Sequence, residues 1–171
     1  MAYHSLYVWS VVVHILAAMM WVGGMLFLVL VLMPALRLIE DDRLRAKLIR
    51  VTGMRFRLVG WACLAVLLVT GYVNLAARGL GGEILATPEF WATGYGRTLG
   101  WKLLLFIAVL SLSATHDFMI GPRAGALQRR DPGGREAQRM RFMAVWFGRF
   151  NLLLSLIIVI VGVLLVRGVP W

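Results

Sequence analysis

The sequence predicts an all-α protein, a four-helix transmembrane bundle, and three observations carry that reading. The chain has 171 residues, is 61% hydrophobic and has a mean hydropathy of +0.82, too apolar for a soluble domain of this length. Four apolar stretches, about residues 6–32, 58–77, 99–120 and 145–166, each approach or exceed the ~20 residues that cross a ~30 Å hydrocarbon core. Basic residues gather between them in alternate connections. The chain therefore reads as one integral membrane domain, 1–171.

Span one, Leu6–Leu32, contains no Asp, Glu, Lys or Arg. Signal-peptide apolar regions run to only about 15 residues after a basic start, whereas here no Lys or Arg precedes Arg37. The stretch is read as a retained span that ends at Pro34, where the helix ladder lacks a donor. His14, Ala17, Ala18, Trp21, Gly24 and Met25 share one face on a 3.6-residue period. The small residues there admit a neighbouring helix or a flat ligand. Connection one, Arg37–Met54, mixes Glu40, Asp41 and Asp42 with arginines and suits a short surface helix.

Span two places Gly60, Leu64, Leu67, Gly71 and Asn74 on one stripe, with Thr70 beside it. Connection two, Arg78–Thr98, is rich in glycine and is expected to be a loop, with Phe90, Trp91 and Tyr95 in an outer aromatic belt. Tyr3, Tyr7, Trp9 and Trp171 fit the same belt. Span three aligns Lys102, Phe106, Val109, Ser113 and His116 and is expected to close at Gly121-Pro122. Connection three, Arg123–Arg141, is a basic loop. Span four carries Arg149, Asn151, Ser155 and Gly162.

The net charge of +10 is a topology signal and does not point to nucleic acid. Seven basic residues flank connection one and seven flank connection three, while connection two holds only Arg78 and Arg97. Short basic loops stay in the cytoplasm, facing anionic lipid. Both termini are thereby expected on the outer, periplasmic side of a bacterial inner membrane. The single Cys63 excludes an intramolecular disulfide and reads as an inert core residue.

An ionisable group facing lipid costs roughly 2.5 kcal/mol or more, so His14 requires a partner. Counting from the helix ends gives an outer polar level of His14, Lys102, Asn74 and Thr70. An inner level holds His116, Asp117, Asn151 and Arg149. Packing alone is the competing explanation, since interhelical hydrogen bonds in membranes average ~0.6 kcal/mol and lysine side chains snorkel.

Two chemical readings remain. In one, His14 is an axial ligand of haem b, with Lys102 or an arginine at a propionate. His14 and His116 differ in depth by about 13 Å at ~1.5 Å per residue, which disfavours one haem held by both. In the other, His14 or His116 with the thioethers of Met25 or Met119 binds Cu(I). Methionine is also common core filler. The outer loop offers no Met, His or Cys to collect copper.

Val13-His14-Ile15-Leu16-Ala17-Ala18 with Trp21-Val22-Gly23-Gly24-Met25 resembles the first helix of the CopD copper-resistance membrane family. Arg55-Phe56, Val69-Thr70-Gly71 and, most specifically, Tyr95-Gly96-Arg97-Thr98-Leu99 with Lys102 extend the likeness across nearly the whole chain. The resemblance implies copper homeostasis or transport at the inner membrane with a periplasmic copper-binding or redox partner. The chain is also similar to HemJ-type four-helix haem membrane proteins through His14, Lys102, His116 and Arg149-Phe150-Asn151. That family continues with Glu-Val-Pro, where Leu152-Leu153-Leu154 stands here. Both resemblances direct attention to His14 and Lys102, with His116, Arg97 and Asn151 as further cofactor contacts. A third reading is an accessory subunit whose polar residues only lock helices together; a homo-oligomer and contact with membrane lipid are compatible with all three.

Overall fold

The structure, a computed structural model, describes residues 2–131 and 133–168, with side chains described from Ser5 onward. The side chain of Tyr3 and the whole of Trp171, both expected in the belt, fall outside what is described. The described chain is all-α as expected, with no strand among those residues. Its helices are α1 (Ala2–Phe27), α2 (Met33–Leu36), α3 (Asp42–Ala77), α4 (Gly82–Leu85), α5 (Pro88–Ala92), α6 (Gly94–Ala114), α7 (Gly121–Arg130) and α8 (Arg135–Arg167). Four continuous helical stretches are long and apolar enough to span a membrane: Ser5–Leu36, Asp42–Ala77, Gly94–Arg130 and Arg135–Arg167.

The structure corrects two helix ends. Neither Pro34 nor Pro122 stops its helix. Leu28–Leu32 and Thr115–Ile120 are π-helical turns, closed by Met33 N–H to the Leu28 carbonyl and by Gly121 N–H to the His116 carbonyl. Each proline follows directly. The widened i→i+5 winding carries the chain past the ring and its missing donor, so the helix resumes.

The connections differ as well. Most of connection one is the first part of α3, started by Asp41, whose carboxylate accepts from Arg43 N (2.8 Å) and Leu44 N (3.2 Å). Connection two is not wholly loop, because α4 and α5 lie inside it. Connection three is helical on both sides of a short turn near Asp131.

The chain divides into two compact units, Met1–Pro88 and Glu89–Trp171. In the first, α1 packs against α3 with small residues set opposite large ones. Gly24 faces the Phe56 ring, Gly60 lies against the Trp21 indole, and Gly71 lies against the His14 imidazole. Trp21, Met25, Cys63, Leu64 and Leu67 form its buried core. Burial of an indole against glycine is the close approach that membrane helices exploit where apolar burial gives no drive. α3 ends at Gly79 (φ +75°), with Gly79 N–H bonding Ala76 O (3.0 Å) and Leu80 N–H bonding Leu75 O (3.1 Å). This pair of bonds is a Schellman cap.

In the second unit α6 packs against α8, and α7 lies along α8. Thr93 caps α6 by accepting from Gly96 N at 3.0 Å. Gly96 presses on the Phe90 carbonyl and the Trp91 backbone so closely that a Cβ would overlap them. That contact explains the glycine of Tyr95-Gly96-Arg97. Val109 and Ser155 are almost fully enclosed.

Candidate functional site

His14 is half-buried on α1, and its partner is Thr70. The His14 Nδ1 to Thr70 Oγ1 distance is 2.7 Å. Thr70 Oγ1 lies 2.6 Å from the Val66 carbonyl, which only accepts, so the single hydroxyl hydrogen is directed there. Thr70 Oγ1 must then accept from His14 Nδ1–H. This chain of bonds assigns the Nδ1–H tautomer and leaves the lone pair of the neutral ring on Nε2, the atom that binds metals. Ser10, one turn before His14, donates to the Thr70 carbonyl at 3.3 Å and ties α1 to the same residue. Sequence reading missed Ser10, although its i, i+4 spacing from His14 was the available sign.

Asn74 lies one turn beyond Thr70 on α3. Its Oδ1 is buried and has no hydrogen-bond partner among the described residues. A buried amide oxygen without a donor is costly, and a cation or a ligand N–H would satisfy it. Met25 is buried at 7% exposure but stands eleven residues from His14 on the same helix. At ~1.5 Å per residue that is about 16 Å, so one ion cannot take both as ligands.

The second unit repeats the plan of the first with different chemistry. Lys102 precedes Pro122 by 20 residues, as His14 precedes Pro34, and each proline follows a π-turn. Lys102 Nζ lies 3.6 Å from the Cβ position of Gly162, and His14 Cε1 lies 3.6 Å from that of Gly71. Each hairpin thus rests one basic side chain on a glycine of its second long helix. The residue before Gly71 is Thr70, whereas Val161 precedes Gly162, so no hydroxyl stands at that place for Lys102. Of the expected outer level, His14 and Thr70 are in contact, with Asn74 adjacent along α3. Lys102 belongs to the other unit.

The inner level is partly assembled. His116 Nδ1 pairs with Asp117 Oδ1 at 2.9 Å within the π-turn. Asn151 Nδ2 donates to Ser113 Oγ at 3.1 Å, and Ser155 Oγ donates to the Asn151 carbonyl at 2.6 Å. Arg149 departs from this level: it is exposed and stacks on Trp146, 5.6 Å from the ring centroid. Met119 is 52% exposed. Arg97 is exposed near the start of α6. Among the described residues, no three His, Cys, Asp or Glu side chains gather as a metal-binding group.

A family model described as Copper resistance protein D matches residues 50–165, from the early part of α3 almost to the end of α8. His14 lies outside the matched range, and Lys102 lies within it. The chain is 32% identical over 151 residues to an uncharacterized protein of Aquifex aeolicus (strain VF5), covering 88% of each chain. No solved structure matches it. By this match, and with four helices long and apolar enough to cross a membrane, the chain belongs to the copper resistance protein D family of multi-pass inner-membrane proteins.

Proposed function

We propose that this protein handles copper as cargo within the inner membrane, with His14 Nε2 as its principal binding atom. The observation that carries the reading is the hydrogen bond from His14 Nδ1 to Thr70, which turns the imidazole lone pair onto Nε2. A hydrogen-bond acceptor on the other ring nitrogen orients a histidine ligand and raises its basicity. Asn74 Oδ1 offers a second, weaker donor. One imidazole nitrogen and one amide oxygen form a sparse, hard-leaning set for Cu(I), which prefers thiolates and thioethers for permanent capture. Such a set suits an ion in transit. In the orientation that the charge distribution favours, with both termini outside and His14 nearer the periplasmic face, copper would reach it from a periplasmic carrier.

A second reading uses the same atom. Nε2 would serve equally as an axial ligand of haem b. The deciding experiment is a visible spectrum with metal analysis of the detergent-purified full-length protein and of His14→Ala. Near-stoichiometric copper after loading, lost in His14→Ala with an unchanged elution profile, supports the copper reading. A Soret band with reduced α and β bands that vanishes in the variant moves the assignment to haem. Retention of either species by the variant overturns His14 as the ligand.

A further inference from the structure

The first turns of α8 carry a basic and aromatic face that neither copper nor haem binding uses. Gln138, Arg141, Phe142, Val145, Trp146 and Arg149 line a concavity of about 350 Å³. Their spacing of three, four, seven, eight and eleven residues marks one stripe of a helix. Phe142 is 64% exposed, Val145 47% and Trp146 51%. The Phe142 and Trp146 rings stand 5.9 Å apart. The Arg149 guanidinium folds back over Trp146, toward the start of the helix.

Position in the chain explains the composition. After Arg149 come the 17 uncharged residues Phe150–Val166, about 25 Å of helix at ~1.5 Å per residue. Arg149 therefore stands at the edge of the hydrocarbon slab, with Trp146 at headgroup depth. No carboxylate lines the concavity, and α7, packed on α8, adds Arg129 and Arg130 in its last turn. The net field there is positive.

We propose that this face of α8 seats the phosphate of an anionic phospholipid. Arg141 and Arg149 take the phosphate oxygens from the two ends of the groove. The Phe142, Val145 and Trp146 surfaces between them hold the glycerol and headgroup at interfacial depth, and the acyl chains run along α8 past Arg149 into the slab. Guanidinium is the side chain best fitted to phosphate geometry, and basic pockets on the cytoplasmic side of membrane helices bind acidic headgroups. Self-association through this stripe is disfavoured, because a two-fold contact would set arginine against arginine.

The test uses the full-length protein in detergent with added phosphatidylglycerol or phosphatidylcholine, followed by native mass spectrometry and thermal unfolding. The expected result is retention of phosphatidylglycerol in preference to phosphatidylcholine, with a rise in Tm. Both effects should fall several-fold in R141Q/R149Q and persist in R129Q/R130Q. A photo-crosslinkable phosphatidylglycerol on the wild type should label residues 138–149, which keeps the test valid if the double variant folds poorly. Equal retention of the two lipids, full retention in R141Q/R149Q, or labelling elsewhere overturns the proposal. Loss of an oligomer in the double variant without loss of lipid would reassign the face to contact between copies.

Discussion

Replacing Thr70 with valine tests the ligand-orienting role directly, because the side chain keeps its branching and loses only the hydroxyl. In the wild type that hydroxyl accepts from His14 Nδ1 at 2.7 Å and donates to the Val66 carbonyl at 2.6 Å. In Thr70→Val the imidazole loses the hydroxyl acceptor that favours the tautomer with the lone pair on Nε2. Loss of such a partner typically costs about 10–100-fold in metal affinity, or roughly 1.4–2.7 kcal/mol. Fold stability should change less, by about 0.6 kcal/mol, the usual worth of one interhelical hydrogen bond in a membrane protein. The Val66 carbonyl retains its place in the α3 ladder. Thr70→Ser keeps the oxygen and should bind like the wild type. The assay is competition for Cu(I) against a chromophoric chelator, run beside thermal unfolding. A Thr70→Val affinity within about twofold of wild type, in the face of complete loss in His14→Ala, would refute the orienting argument. An affinity loss matched by an equal loss of stability would reduce Thr70 to a packing residue.

Three further outcomes are expected. Gly96→Ala forces a methyl into the Phe90 carbonyl and Trp91 backbone and should lower stability by about 1–3 kcal/mol. Gly53→Ala, where a Cβ meets nothing within 4 Å, should be neutral or stabilising by up to about 1 kcal/mol; similar melting of the two variants would refute the close contact. Pro122→Ala restores a donor to the ladder, so amide exchange across Thr115–Ile120 should slow as the π-turn tightens, and unchanged exchange would mean that the proline does not hold it open. Lys102→Met should change thermal stability more than Arg123→Met, since Lys102 is packed against Gly162 whereas Arg123 is exposed; equal effects would make Lys102 a general surface charge.

The helical class was readable because each apolar stretch matches or exceeds the ~30 Å hydrocarbon core, and the bilayer leaves few alternatives to a helix. His14 was readable for the same reason, as an ionisable group in a run of apolar neighbours. Thr70 could be assigned to its layer by counting, but the direction of its hydroxyl hydrogen could not. That direction depends on the Val66 carbonyl, and backbone acceptors carry no sequence signature. Proline misled the reading at Pro34 and Pro122. A missing donor ends a regular ladder, yet one surplus residue in the preceding turn absorbs the defect. Nothing in Leu28–Leu32 or Thr115–Ile120 announces that surplus. The kinship of the two hairpins was hidden for another reason. Its corresponding positions hold an imidazole in one and an ammonium in the other, and their packing on Gly71 and Gly162 is what joins the shared 20-residue spacing to proline into one plan.

The two π-turns also settle where each hairpin is mechanically soft. A turn that ends on a proline has fewer backbone bonds resisting a bend than the regular helix on either side. Fourteen residues separate His14 from Leu28 and thirteen separate Lys102 from Thr115, about 20 Å of uninterrupted rod in each case at ~1.5 Å per residue. A load applied at Arg37 or at Arg130 is thus taken up as flexure at Leu28–Leu32 or Thr115–Ile120. The imidazole and the ammonium, on the far side of those joints, keep their aim.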